Sequence, residues 1–130
     1  MRSYDATHCF VCGRDNPIGL KIQFQPYQDG VRATFVPTDL HVGYPGVVHG
    51  GILAALVDDA LASIWHVRGQ PAVTGRIEVR FRHPVRPGDH LVVTALPTGS
   101  RGGLHTGQVV ITRDGTVVAR GAGVVAVRPP

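Results

Sequence analysis

With 130 residues and 43% hydrophobic side chains, the chain has room for one core and not for two. No apolar run approaches the ~20 residues that span a bilayer, and the opening MRSYDATHCF has no apolar signal-peptide core, so a cytoplasmic protein with no membrane partner is expected. The net charge of +4 is carried by many arginines and one lysine with no run of like charges, which suits an anionic ligand, phosphate-bearing or nucleic acid, or simply a basic surface.

Taken in chain order, residues 20–27 (LKIQFQPY) and 31–36 (VRATFV) are β-rich runs joined by the turn QDG, and they predict a hairpin. A glycine- and proline-rich approach, HVGYPGVVHGG, then leads into a helix over residues 51–66. After Gly69 the period falls to two. Ile77, Val79 and Phe81 alternate with Arg76, Glu78, Arg80 and Arg82, so one face of this strand is core and the other faces water or ligand. HPVRPGD breaks the strand, HLVVTALP supplies another, and TGSRGG reads as a flexible loop. LHTGQVVIT and TVVARGAGVVAV are two last strands joined by the tight turn RDG. The order β-β-α-β-β-β-β predicts an α+β fold in which an antiparallel sheet of about six strands covers one central helix. Its uncovered edges favour pairing with a second subunit.

Two adjacent carboxylates stand in the middle of the helix. Side chains three and four apart share a helix face, so Asp59 aligns with Ser63 and His66, while Asp58 is surrounded by Ala54, Ala55, Leu61 and Ala62. A carboxylate among small apolar neighbours costs free energy unless it has a partner or a task, and general-base work is such a task. The competing reading is a solvent-facing Asp58 on a partly covered helix. Gly50 and Gly51 start the helix, where unpaired N–H groups and the positive end of the dipole can stabilise an oxyanion. Gly51 and Asp58 lie seven residues apart, about 10 Å along the axis, which is too far for a short path within one subunit. A groove completed by another subunit removes the difficulty. A triad of Ser63, His66 and Asp59 is rejected, because all three share one helix face and no nucleophile elbow is present.

HVGYPGVVHGGILAALVDDAL followed by TGRIEVRFRHPVRPGD resembles the PaaI-like branch of the hotdog-fold acyl-CoA thioesterases, and HCFVCGRDNPIGL resembles the opening common in part of that branch. HGG alone is weak, but HGG, an aspartate nine positions after its histidine, and PVRPGD in this order are specific together. The resemblance implies an N-terminal segment with a CxxC turn over 1–18 and a single hotdog domain over 19–130. It implies hydrolysis of an acyl-CoA thioester, with coenzyme A part of the substrate and no separate cofactor or metal. Asp58 would be the general base or nucleophile, the Gly51 amide would polarise the carbonyl, and His49 would orient the thioester or the helix entrance. Val48 and Gly50, beside that entrance, would touch the substrate. Thr74 matches a Ser or Thr that helps position the water from the neighbouring subunit. Many relatives carry an Asn six residues before the HGG histidine; that position is Gly43 here, and His41 is a candidate for part of its role. Homodimers, often paired into homotetramers, with active sites at the subunit interface are implied as well.

Arg82, Arg86 and Arg101 are the candidates for the coenzyme A phosphates, against the plainer reading of a solvated strand face with ion pairs around Glu78. Arg101 is the strongest single choice, being flanked by glycines in TGSRGG. Cys9 and Cys12, with His8, form a Cys-x2-Cys half-site, but there is no second cysteine pair, so no metal site is expected and no nucleic-acid partner either. Two other activities fit the same fold: a hydratase or dehydratase pairing His49 with Asp58, and a non-catalytic acyl-CoA binding module.

Overall fold

Alternation of buried and exposed side chains builds one sheet in this computed structural model, which describes residues 5–127. Its strands are β1 (Gln25–Tyr27), β2 (Gly30–Phe35), β3 (Ala72–Phe81), β4 (Leu91–Arg101), β5 (Leu104–Arg113) and β6 (Thr116–Val127). They pair antiparallel throughout in the order β1-β2-β4-β5-β6-β3, leaving β1 and the long β3 as edges. The single helix α1 (Gly50–His66) packs against β2 through β6. This is the expected α+β arrangement, one antiparallel sheet around one central helix. No helix among the described residues is long and apolar enough to cross a membrane.

The helix carries Leu56, Val57, Leu61 and Ile64 into the sheet, all fully buried, and each such side chain contributes about 1.5–3 kcal/mol of transfer free energy. They meet Val31, Val93, Val109, Ile111 and Val125 from the inner faces of β2, β4, β5 and β6. The helix comes this close because β6 is bare beneath it. A Cβ on Gly123 would lie 2.7 Å from the Leu61 side chain and 2.5 Å from the Arg76 carbonyl.

Two expectations are corrected. The first β-rich run is a strand only over Gln25–Tyr27. Upstream of it, the Leu20 and Ile22 N–H groups donate to the Phe10 and Val11 carbonyls at 2.8 and 2.9 Å, so this stretch ties down the N-terminal segment, and Val11, Leu20 and Ile22 all join the core. TGSRGG is not a flexible loop. β4 continues through Ser100 to Arg101, and only Gly102 and Gly103, with φ of 58° and 82°, make the turn. Positive φ at both central residues is the hairpin geometry that matches strand twist, and two glycines adopt it without a Cβ penalty.

Candidate functional site

Two hollows flank α1, one near its middle and one at its start. The first is a groove of about 610 Å³ lined by Asp58, Asp59, Ala62 and His66 from the helix, Cys9 from the N-terminal segment, and residues 72–77 at the start of β3. Asp58 is half-buried there and shares the groove with Thr74, itself half-buried beside a bulge at Gly75 in the pairing of β3 with β6. Asp58 and Thr74, expected from different subunits, therefore already line one groove of a single chain.

Asp59 is the more buried of the two carboxylates, at 8% exposed. Its Oδ1 accepts hydrogen bonds from the thiols of Cys9 and Cys12 at 3.3 and 3.7 Å. Burial holds its carboxyl above the usual carboxylate range, against the two thiol hydrogen bonds and the nearby His66, which favour the charged form. Burial also pushes the Cys12 thiol up and holds His66 below the usual imidazole value. Asp59 thus has partners that lie 50 and 47 residues away in sequence. Helix periodicity exposes Ser63 and His66 as its neighbours but carries no signal for the cysteines.

At the start of the helix, His49 is the N-cap. Its extended backbone (φ −61°, ψ 133°) turns the chain into the helix, and its Nδ1 accepts the Gly51 N–H at 2.7 Å. The Gly51 amide, expected to polarise a substrate carbonyl, is thereby engaged by His49. Gly50, the first helical residue, lines the second hollow, about 360 Å³, together with Val48, Leu53, Phe81, Arg82 and Val85. Val48 is a buried wall of this hollow, held by its N–H to the Val85 carbonyl at 2.8 Å. Gly43 lies against the His49 ring, where a Cβ would meet Cδ2 at 3.3 Å. The His41 ring is committed locally: its Nδ1 accepts the Thr38 N–H at 2.9 Å, closing a capping box around the short 3-10 turn Asp39–His41. His49 caps the start of the helix and does not line the groove that holds Asp58, nine residues further along, so one chain alone does not assemble a His–carboxylate pair from them.

The arginines divide by position. Arg82 lines the hollow at the helix start, and Arg86 is exposed in the turn that follows β3. Arg101 sits at the β4–β5 hairpin tip, whose neighbour Leu104 pairs with Ala126, opposite Val73 at the beginning of β3. Arg101 and the pair Arg82 and Arg86 are therefore at opposite ends of β3, and no single phosphate cluster forms from all three within one chain.

Residues 45–119 match the Thioesterase superfamily. Over 72 residues the chain is 36% identical to the human acyl-coenzyme A thioesterase THEM5, covering 55% of this chain and 29% of that protein's length. Among solved structures, a thioesterase superfamily protein superposes with a TM-score of 0.86 at 25% identity, covering 97% of this chain and 66% of the other. The PaaI protein from the phenylacetic acid degradation operon of E. coli superposes with a TM-score of 0.75 at 25% identity, over 82% of this chain and 83% of the other.

Proposed function

This chain belongs to the thioesterase superfamily and has the hotdog fold of its PaaI-like members, and from that premise we propose that it hydrolyses an acyl-CoA thioester to a free acid and coenzyme A. The observation that carries the reading is Asp58, a half-buried carboxylate in a groove of about 610 Å³ that Thr74 also lines. Asp58 takes a proton from water held near Thr74, and the resulting hydroxide attacks the thioester carbonyl. Alternatively the carboxylate attacks directly and the mixed anhydride is hydrolysed. In either case the thiolate of coenzyme A leaves and is protonated.

The carbonyl needs a donor near the oxygen that becomes negative. With the Gly51 N–H engaged by His49, the donor is the Gly50 N–H, on the residue that lines the hollow at the helix start. That hollow and the Asp58 groove lie at two stations along β3: Thr74 borders one, and Phe81 and Arg82 border the other. β3 is a free sheet edge in the single chain. Antiparallel pairing of two β3 edges about a two-fold axis near Glu78 sets position 74 of one chain opposite position 82 of its partner. The helix start of one chain then faces the Asp58 groove of the other, and a homodimer carries two composite sites. Arg82 and Arg86 lie on the helix-start side of such a site and Arg101 at the far end of β3, where it reaches the same site from the other chain to hold coenzyme A phosphates.

The test is thiol release from short, medium, long and aromatic acyl-CoA esters, with Asp58→Asn measured beside the unaltered protein. Asp58→Asn is expected to lower kcat by about 10²–10⁴-fold while substrate binding is kept. Equal turnover in the two proteins, or an enoyl product formed without thiol, overturns the reading.

A further inference from the structure

Cys9, Cys12 and Asp59 bring their ligand atoms within 4.8 Å of one another, although the cysteines and the aspartate come from opposite ends of a long stretch of chain. The thiol-to-carboxylate distances, 3.3 and 3.7 Å, bracket the ~3.6 Å edge expected between a sulfur and an oxygen ligand on a tetrahedral zinc ion, with Zn–S about 2.3 Å and Zn–O about 2.1 Å. The turn that carries the cysteines is already shaped. The Gly13 N–H donates to the Cys9 carbonyl at 2.8 Å and the Cys12 N–H to the Cys9 sulfur at 3.4 Å, which holds both thiols on the side facing the helix. A second observation is independent of the cysteines: Asp59 Oδ2 is buried and has no hydrogen-bond partner among the described residues. A buried carboxylate oxygen left without a partner is costly, and a cation beside it removes that cost.

We infer that Cys9, Cys12 and Asp59 form a zinc-binding site that clamps the N-terminal segment onto α1. Zinc displaces one proton from each thiol, so that two thiolates and a carboxylate hold the ion and the protons pass to solvent, with no change of oxidation state. Cys9 and Asp59 line the same groove as Asp58, so the fourth coordination position falls to water or to a group in that groove. The ion fixes the groove wall that the N-terminal segment supplies. A half-site from Cys-x2-Cys lacked further cysteines in the sequence; the fold supplies the next ligand from the helix.

This inference goes beyond the proposed hydrolysis and stands or falls without it, because the readout is metal and not turnover. The full chain, purified under reducing conditions, is incubated with zinc, dialysed, and analysed for metal. One zinc ion per chain is expected, with a rise in thermal midpoint that a chelator reverses. Cys9→Ser and Cys12→Ser, each close to isosteric, are expected to weaken zinc binding by more than the roughly 100-fold at the top of what loss of an outer-shell partner costs. Cobalt(II) bound to the unaltered chain provides a measurement that needs no variant: tetrahedral ligand-field bands with sulfur-to-metal charge transfer are expected. Substoichiometric zinc, zinc retained in the Cys9→Ser/Cys12→Ser double variant, an octahedral cobalt spectrum without thiolate bands, or a Cys9–Cys12 disulfide in protein isolated without air would each overturn it.

Discussion

His49 stands one residue before the helix and its Nδ1 accepts the Gly51 N–H, which in the proposed reaction leaves the Gly50 N–H for the substrate. Proline at Gly50 tests this with little else disturbed. Gly50 is the first helical position, where proline is favoured because that N–H has no partner within the helix, and the extended backbone of His49 is the conformation a following proline requires. Gly50→Pro should therefore keep the thermal midpoint while reducing kcat for acyl-CoA hydrolysis by about 10²–10³-fold. A variant that turns over normally would remove Gly50 from the oxyanion role. That the Gly51 amide is engaged by His49 was not legible from HGG, because the direction of the His49 ring appears only in the folded chain. The surroundings of Asp59 were legible in part. Ser63 and His66 follow Asp59 at helical spacing, but the two thiols that meet its Oδ1 come from the N-terminal segment.

Among the elements, the turn after β3 and the inner face of β6 carry the sharpest expectations. Asp89 closes the turn in RPGD: its Oδ2 accepts the Arg86 N–H at 2.9 Å and an Arg113 guanidinium N–H at 2.8 Å, and the same Arg113 nitrogen also donates to the Pro84 carbonyl. The Arg86 amide first, then Arg113, holds the Asp89 carboxyl below its usual range. A folded pKa below the unfolded one means that the stability Asp89 adds is fully present above about pH 4 and is lost as pH falls through the folded value. Thermal midpoints of the unaltered chain and Asp89→Asn should differ at neutral pH and converge under acid; a gap independent of pH would contradict this. In β6, Gly123→Ala forces a Cβ against Leu61 and the Arg76 carbonyl, and it should destabilise by about 1–3 kcal/mol in urea unfolding. The alternation of Ile77, Val79 and Phe81 made β3 readable from sequence. The end of β4 was not readable, since Thr98, Gly99 and Ser100 have loop composition; Gly99 and Ser100 are strand because Thr106 and His105 pair across from them, and Thr98, at a register shift, is tied in by its hydroxyl's bond to the Thr106 hydroxyl at 2.8 Å.

For the whole molecule, the architecture followed from the order of elements and the single amphipathic helix, while the composition of the site did not. Asp58 and Gly51 were visibly too far apart in the sequence, and two separate hollows along β3 express that separation in the fold. Thr74 lines the groove of its own chain's Asp58, so in the proposed shared site the contribution left to a partner is the helix start. The proposed edge pairing through β3 would also cover Val73 and Phe81, which are 54% and 55% exposed in the single chain. The central claim, thioester hydrolysis at a site shared between two chains, is tested most directly by coexpressing Asp58→Asn and Gly50→Pro chains and measuring thiol release from the mixture. Random pairing makes half of the dimers mixed, and each mixed dimer has one intact site of two, so turnover should recover to about a quarter of the unaltered protein's. Recovery from two inactive parents would establish the shared site, whereas a mixture no more active than either parent, with mixed dimers present, would contradict it.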